Sequence, residues 1–184
     1  MQLESRQKSF TGSYFHKNFC VFDTMSVRKF RPEDTEAVVA LANMAWKPIN
    51  KVSRARLGDR IADILRPEGD DVSKGITVRQ QLAEHPENFF VCEEEGRIVG
   101  FAGCSLDFAS KIGTVGHNAA DKSCGVKGIG QQLYKAVLDY FREKGMVVAK
   151  VFTGLDEAHA PARRAYKRAG FNRSLEHVTY YMEL

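Results

Sequence analysis

Glycines at 125, 128 and 130, in the run Gly125-Val126-Lys127-Gly128-Ile129-Gly130, stand immediately before an amphipathic stretch from Gln131 to Lys144. That arrangement suits an anion, a phosphate above all. Glycine turns tightly and leaves backbone N–H groups unshielded, and a helix starting there aims its unpaired donors and the positive end of its dipole into the loop. The order G-x-x-G-x-G departs from the dinucleotide fingerprint G-x-G-x-x-G. Gly130 is followed by Gln131 and Gln132 rather than by the Lys-Ser or Lys-Thr of a P-loop. Taken alone, the glycines read equally well as a sharp strand-to-helix turn, so the surrounding elements must decide.

From Ser26 onward those elements are readable. Val27 to Phe30 predicts a short strand, and Arg31-Pro32-Glu33-Asp34 a turn with acidic first-turn residues. A helix follows with Ala37, Val38, Leu41 and Ala45 on one stripe. Arg56 to Leu65 and about Thr77 to Glu84 predict further helices, separated by Pro67-Glu68-Gly69-Asp70-Asp71 and stopped by Pro86. Phe89 to Cys92, a turn at Glu95-Gly96 and Arg97 to Ser105 form a hairpin whose second strand carries Gly100 and Gly103, glycines that admit a bulge or the close approach of another backbone. A fourth strand, Thr114 to Ala120, leads into the glycine loop. The helix beyond it sets Leu133, Ala136, Val137, Tyr140 and Phe141 on one face. Gly145 ends that helix, Met146 to Thr153 forms a strand parallel to the fourth, and a short helix opening at Pro161 and closed by Gly170 follows. Phe171 through Val178-Thr179-Tyr180-Tyr181-Met182 is expected to finish the sheet.

With 184 residues, 43% hydrophobic and 27% charged, the chain is of a size and composition for one globular domain and has no apolar run long enough to span a bilayer. The charge of +4, from 27 basic and 23 acidic residues, does not imply nucleic acid, since Arg163-Arg164 and Lys167-Arg168 read as a solvated helix face. Cys20, Cys92, Cys104 and Cys124 form no C-x-x-C pair and have no His at ligand spacing, which supports neither a metal site nor a disulfide framework and makes a cytoplasmic setting the expectation. Residues 1–24 carry Phe10, Tyr14, Phe15, Phe19 and Phe22 among polar and basic residues, without the apolar core of a secretory signal. They read as an extension before a domain over 25–184.

Two linked segments carry a resemblance that the glycines alone do not. Gly125-Val126-Lys127-Gly128-Ile129-Gly130 resembles the Gln/Arg-x-x-Gly-x-Gly/Ala pyrophosphate loop of the GNAT superfamily of acetyl-CoA-dependent N-acetyltransferases. His159-Ala160-Pro161-Ala162-Arg163-Arg164-Ala165-Tyr166, with the Gly170-Phe171 that follows, resembles that superfamily's Asn-x-x-Ala-x-x-x-Tyr segment. The resemblance spans about Ser26 to Leu184. It implies an α/β fold of layered α+β type: a mixed, mostly antiparallel, twisted sheet of six to seven strands, flanked by helices and splayed between the fourth and fifth strands. It implies acetyl-CoA as cosubstrate, no metal and an amine acceptor, and makes a homodimer a family-level expectation. The N–H groups of Val126 to Gln131 would hold the pyrophosphate, with Lys122 or Lys127 adding diffuse charge and His159 and Ala162 on the neighbouring helix. A free backbone N–H within Asn118, Ala119 and Ala120 would polarise the thioester carbonyl. Tyr166 falls on the superfamily's general-acid position, although an aromatic on an apolar helix face is otherwise a core residue.

Three departures bear on mechanism. Gly125 replaces Gln or Arg, His159 replaces Asn, and an ungapped match puts Thr114 where some members carry a glutamate base. His117 is a substitute base, but strand alternation sets it on the face opposite Thr114 unless a bulge intervenes. Asp121 is a second candidate with a turn or cap as its structural role. Glu93, Glu94 and Glu95 read as a solvated turn, and Cys124 as a thiol beside the loop. Three function classes follow: an N-acetyltransferase acting by direct ternary-complex transfer, a non-catalytic acyl-CoA-binding domain, and a partner-binding domain without cofactor. The acceptor is not legible. Trp46 and the helices after it are where recognition would sit.

Overall fold

The computed structural model describes residues 25–184; the extension over 1–24, with Cys20, lies outside them. Five strands form one sheet in the order β1 (Ser26–Lys29), β2 (Phe89–Glu94), β3 (Arg97–Asp107), β4 (Ile112–Ala120) and β5 (Val148–Val151). The first four are antiparallel, and β4 and β5 run parallel. Among the described residues, no helix is long and apolar enough to cross a membrane.

Alternation along the strands builds two cores. Phe89, Val91 and Phe101 point to one face, where they meet Val38, Leu41 and Ala42 of α1 (Thr35–Leu57) and Val78 and Leu82 of α3 (Ser73–Glu84). Phe90, Cys92 and Ala102 point to the other, against Leu133, Val137 and Phe141 of α4 (Ile129–Glu143) and Tyr166 of α5 (Ala160–Arg168). Gly100 and Gly113 let α4 come close to the sheet: a Cβ at Gly100 would stand 2.5 Å from Ile129 Cγ2 and one at Gly113 2.6 Å from the Phe141 ring. The hairpin turn takes positive φ at Glu95 (48°) and Gly96 (77°), as a two-residue turn matched to strand twist requires.

The elements differ from the sequence expectation in four places, one being β5, which covers Val148–Val151 rather than Met146 to Thr153. The helix expected over Arg56 to Leu65 is divided, because Gly58 adopts φ 79° and separates α1 from α2 (Asp59–Leu65). The third helix starts one turn early, at Ser73. Most plainly, among the described residues the sheet has five strands rather than six to seven: the segment from Phe171 through Met182 carries no regular element. Val178 and Tyr180 are 74% and 89% exposed, so strand-forming side chains without a paired edge yield no strand.

Asp70, in the loop between α2 and α3, ties α1 and α2 together. Arg54 of α1 donates to its carboxylate at 2.7 Å while also reaching Asp59 at 3.1 Å and Asp63 at 2.9 Å in α2, and Arg66 donates from the other side. The buried Asn50 amide donates to the Asp70 carbonyl at 2.7 Å. The hydrogen bond from Arg54, then that from Arg66, holds the Asp70 carboxyl down to about 2. A folded value below the unfolded value of about 3.9 means stabilisation that is complete above that value and is lost as pH falls toward 2. Asp70→Asn should therefore lower stability by about 1–2 kcal/mol at pH 7, a Tm drop of roughly 2–8 °C, partly screened by exposure. Thermal unfolding across pH checks this: the gap between variant and wild type should close near pH 2.

Candidate active site

One irregularity in β4 shapes the site. Ala102 pairs with Asn118 and Cys104 with Val115, so β4 contains one more residue than β3 over this stretch, a bulge at Gly116-His117. Before it, Val115 packs on the α4 side, and alternation turns Thr114 to the α1 side. After it, His117 meets Trp46 of α1, while Asn118 meets Tyr134 of α4 and Tyr166 of α5. The bulge thus returns His117 to the face of Thr114, the condition on which its candidacy as a base depended.

The same bulge marks the place where the sheet opens. β5 pairs with β4 only from Ile112 to Val115, and beyond that β4 continues to Ala120 without a partner on that side. Asp121 donates its backbone N–H to Val99 O at 2.8 Å, which fixes the phase of the antiparallel ladder. By that phase the N–H groups of Asn118 and Ala120 face the gap, and that of Ala119 faces β3.

A cleft of about 750 Å³ fills the opening. At one end Gly128 takes φ 86° as the cap of α4, and Gly125 takes φ 77° in the loop before it. The first α4 backbone bond runs from Gln132 N–H to Gly128 O, leaving the N–H groups of Ile129, Gly130 and Gln131 directed out of the helix end. Asp121 shapes the loop: one carboxylate oxygen accepts from Ser123 N–H at 2.8 Å and from Ser123 Oγ–H at 2.6 Å. It is a turn-forming residue, its pKa lowered by those bonds.

At the centre lie Tyr134, Asn118 and Tyr166. Tyr134 donates its hydroxyl to Asn118 Oδ1 at 2.9 Å, and Asn118 Nδ2 donates to Gly116 O at 2.9 Å and to the Tyr166 oxygen at 3.1 Å. Each polar atom of the amide is thereby used, and Tyr166 receives a hydrogen bond while its own proton has only a 3.5 Å contact with Asn118 Oδ1. Tyr134 and Tyr166 are 5% and 6% exposed, with ring centroids 5.2 Å apart. Burial, against the opposing pull of the Asn118 hydrogen bond, raises the Tyr166 phenol above its ordinary value of 10. The Tyr134 phenol is raised as well, burial again leading. His117 is pushed down to about 4 by burial first and by the Lys74 ammonium second, so its imidazole is neutral at pH 7.

Residues 58–171 match the acetyltransferase (GNAT) family. The chain belongs to that family. A mycothiol acetyltransferase of Segniliparus rotundus is 26% identical over 169 residues, covering 86% of this chain and 56% of that protein. The chain spans about half the length of the curated mycothiol acetyltransferases it matches. Among solved structures, Ard1 from Thermoplasma volcanium aligns at a TM-score of 0.59 with 23% identity, over 83% of this chain and 85% of that one. The PaiA N-acetyltransferase from Thermoplasma acidophilum, in complex with coenzyme A, aligns at 0.58 with 15% identity, over 80% and 89%. These two show the shared fold.

The residues singled out from sequence converge in part. His117, Asn118, Ala119, Ala120, Gly128, Gly130, Gln131, His159, Ala162 and Tyr166 all line the cleft. Ile129 is buried in the core and offers only its backbone, while Gly125, Val126 and Lys127 are not lining residues. His159 donates Nδ1–H to the Asp156 carboxylate at 2.7 Å, a bond that fixes the entry to α5. Glu93, Glu94 and Glu95 lie off the cleft, and Glu93 pairs with Arg28 at 2.9 Å. Sequence reading missed Tyr134, which sits one position round from the stripe at Leu133 and whose hydroxyl has a purpose only once Asn118 is placed. It also missed Lys74. Among the described residues no group of His, Cys, Asp or Glu is arranged to hold a metal.

Asn118→Ala would leave two buried phenol groups without their partner. It should cost about 2–3 kcal/mol and lower Tm by roughly 4–12 °C, whereas Tyr134→Phe, which removes a single hydroxyl, should cost about 1 kcal/mol. Thermal unfolding of the two variants checks the order.

Proposed function

We propose that the protein transfers the acetyl group of acetyl-CoA to a primary amine by direct attack within a ternary complex. The observation that carries this reading is the gap beside β4, with unpaired N–H groups along one wall, a helix N-terminus at one end and Tyr166 within it. The fit to the cosubstrate is supported by the cradle itself: at Gly125 and Gly128 the left-handed backbone suits glycine, and the first-turn donors of α4 point outward into the cleft. Acetyl-CoA bound there would supply a thioester whose carbonyl carbon the amine lone pair attacks and whose sulfur departs as the C–S bond breaks.

The chain's own groups then have distinct tasks. The N–H groups of Ile129, Gly130 and Gln131 hold phosphate oxygens, and the N–H of Asn118 or Ala120 donates to the carbonyl oxygen as it gains charge. Tyr166 gives its phenolic proton to the departing sulfur and regains one from solvent. Asn118 keeps the Tyr166 oxygen oriented by donating to it, which leaves the phenol proton available. His117 takes the proton shed by the attacking nitrogen, directly or through a water. A base depressed to about 4 suffices, because nitrogen becomes strongly acidic once it is bonded to the acyl carbon.

The pH dependence follows from these directions. Tyr166 is raised above 10 and loses its proton only in strong alkali, while His117 is neutral above about pH 5. kcat/KM should rise from neutral pH as the acceptor amine deprotonates, with no fall from Tyr166 below pH 10. Assay of thiol release with acetyl-CoA and a panel of amines tests the reading, and Tyr166→Phe should lower kcat by about 10²-fold. An unchanged kcat in Tyr166→Phe removes its acid role; no thiol release with any amine removes the function.

A further inference from the structure

Opposite the tyrosines, the cleft ends in a corner built from three separate elements. Trp46 comes from α1, Lys74 from the first turn of α3 and His117 from the bulge of β4. The rings of Trp46 and His117 meet edge to face at 5.9 Å and 86°, and Lys74 Nζ lies 4.6 Å from the centre of the Trp46 ring. No carboxylate pairs with Lys74 among the described residues. Burial holds its ammonium below the ordinary value, the direction of a cation kept from water without a counter-charge. Arg28, Arg54 and Arg66, likewise partly covered by protein, have carboxylates, and Arg163 donates to the backbone carbonyls of Gly154 and Asp156.

The charge along the rest of the cleft sharpens the point. Its single acidic lining residue is Asp121, at the far end of β4, whose carboxylate is taken up by Ser123. A polycationic acceptor entering here would face a lysine and find no free carboxylate, a like-charge arrangement that disfavours it. An acceptor with one amine and one anionic oxygen group meets complementary partners at both ends: Lys74 for the anion, and the gap beside β4 for the amine. Trp46 and His117 offer flat, apolar surface to the carbon skeleton between them.

We infer that the acceptor is an amine bearing a carboxylate or phosphate group, which Lys74 receives against the Trp46 face. This rests on the acetyltransferase reading and names the substrate class for the same cleft. The chemistry is that of an amino acid, a short peptide with a free C-terminus or an aminoalkyl phosphate, in place of a polyamine or aminoglycoside.

The experiment compares matched acceptors with acetyl-CoA: phenylalanine with phenylalaninamide, a phenylalanyl dipeptide with its C-terminal amide, and 2-aminoethylphosphonate with its diethyl ester, alongside spermidine. The anionic member of at least one pair should lead in kcat/KM by about tenfold or more, and the pair that responds tells carboxylate from phosphate. In Lys74→Met that ratio should fall to about two or less, with Lys74→Arg retaining most of it. Thermal shift by acetyl-CoA, unchanged in both variants, shows that they fold and load. Preference for spermidine or for the neutral members, a ratio untouched in Lys74→Met, or no turnover of any anionic amine overturns the inference. Turnover confined to neutral or polycationic amines overturns it while leaving the acetyltransferase reading in place; loss of acetyl-CoA binding in the wild type overturns both.

Discussion

One extra residue in β4 is the constraint on which the site depends. Without the bulge at Gly116-His117, alternation would send His117 toward α4 and Asn118 toward α1, and neither the Trp46 contact nor the tyrosine pair could form. The bulge also coincides with the last β4–β5 pairing, at Val115 and Val151. Strand separation and side-chain placement are therefore one event. A continuous ladder would have closed the gap and consumed the N–H groups of Asn118 and Ala120.

The second organising feature is exclusion of water from titratable groups that line the cleft. Burial raises both phenols and lowers both His117 and Lys74. Two of these directions suit the proton donor and the neutral acceptor proposed at Tyr166 and His117, on opposite faces of β4. Lys74 is a cation in the same water-poor cleft, and the acceptor class inferred above rests on its surroundings. The hydrogen bond from Gly75 N–H to Asn43 Oδ1 at 2.6 Å ties α3 to α1 one residue from Lys74, while the ion-pair hub at Asp70 ties α1 to α2 and to the loop that leads into α3.

Much of the scaffold was legible because local rules agree with the fold. The Phe89 to Ser105 hairpin, the stripe from Leu133 to Phe141 and the glycine cap of α4 follow from alternation, helical period and turn chemistry, and the structure forms all three. Gly125 lies off the cleft, but the lining residues Tyr166, Gly128 and Gly130 were found by motif. The role of the β4 bulge was not, because an added residue in one strand is visible only against its partner. Tyr134 and Lys74 were hidden for a related reason: each is an ordinary residue of an amphipathic helix until a distant element supplies its neighbour. The final strand failed in the opposite sense. Val178-Thr179-Tyr180-Tyr181 has the composition of a strand, but composition supplies no edge to pair with.

The most direct measurement is a backbone amide NMR titration of the labelled protein with acetyl-CoA. The account predicts the largest shifts at Asn118 and Ala120, whose N–H groups face the gap, and at Ile129, Gly130 and Gln131 at the start of α4, with Ala119 moving less because its N–H is committed to β3. Shifts centred elsewhere, or no shifts at saturating acetyl-CoA, would contradict the claim that the opened edge of β4 and the end of α4 together form the acyl-donor site.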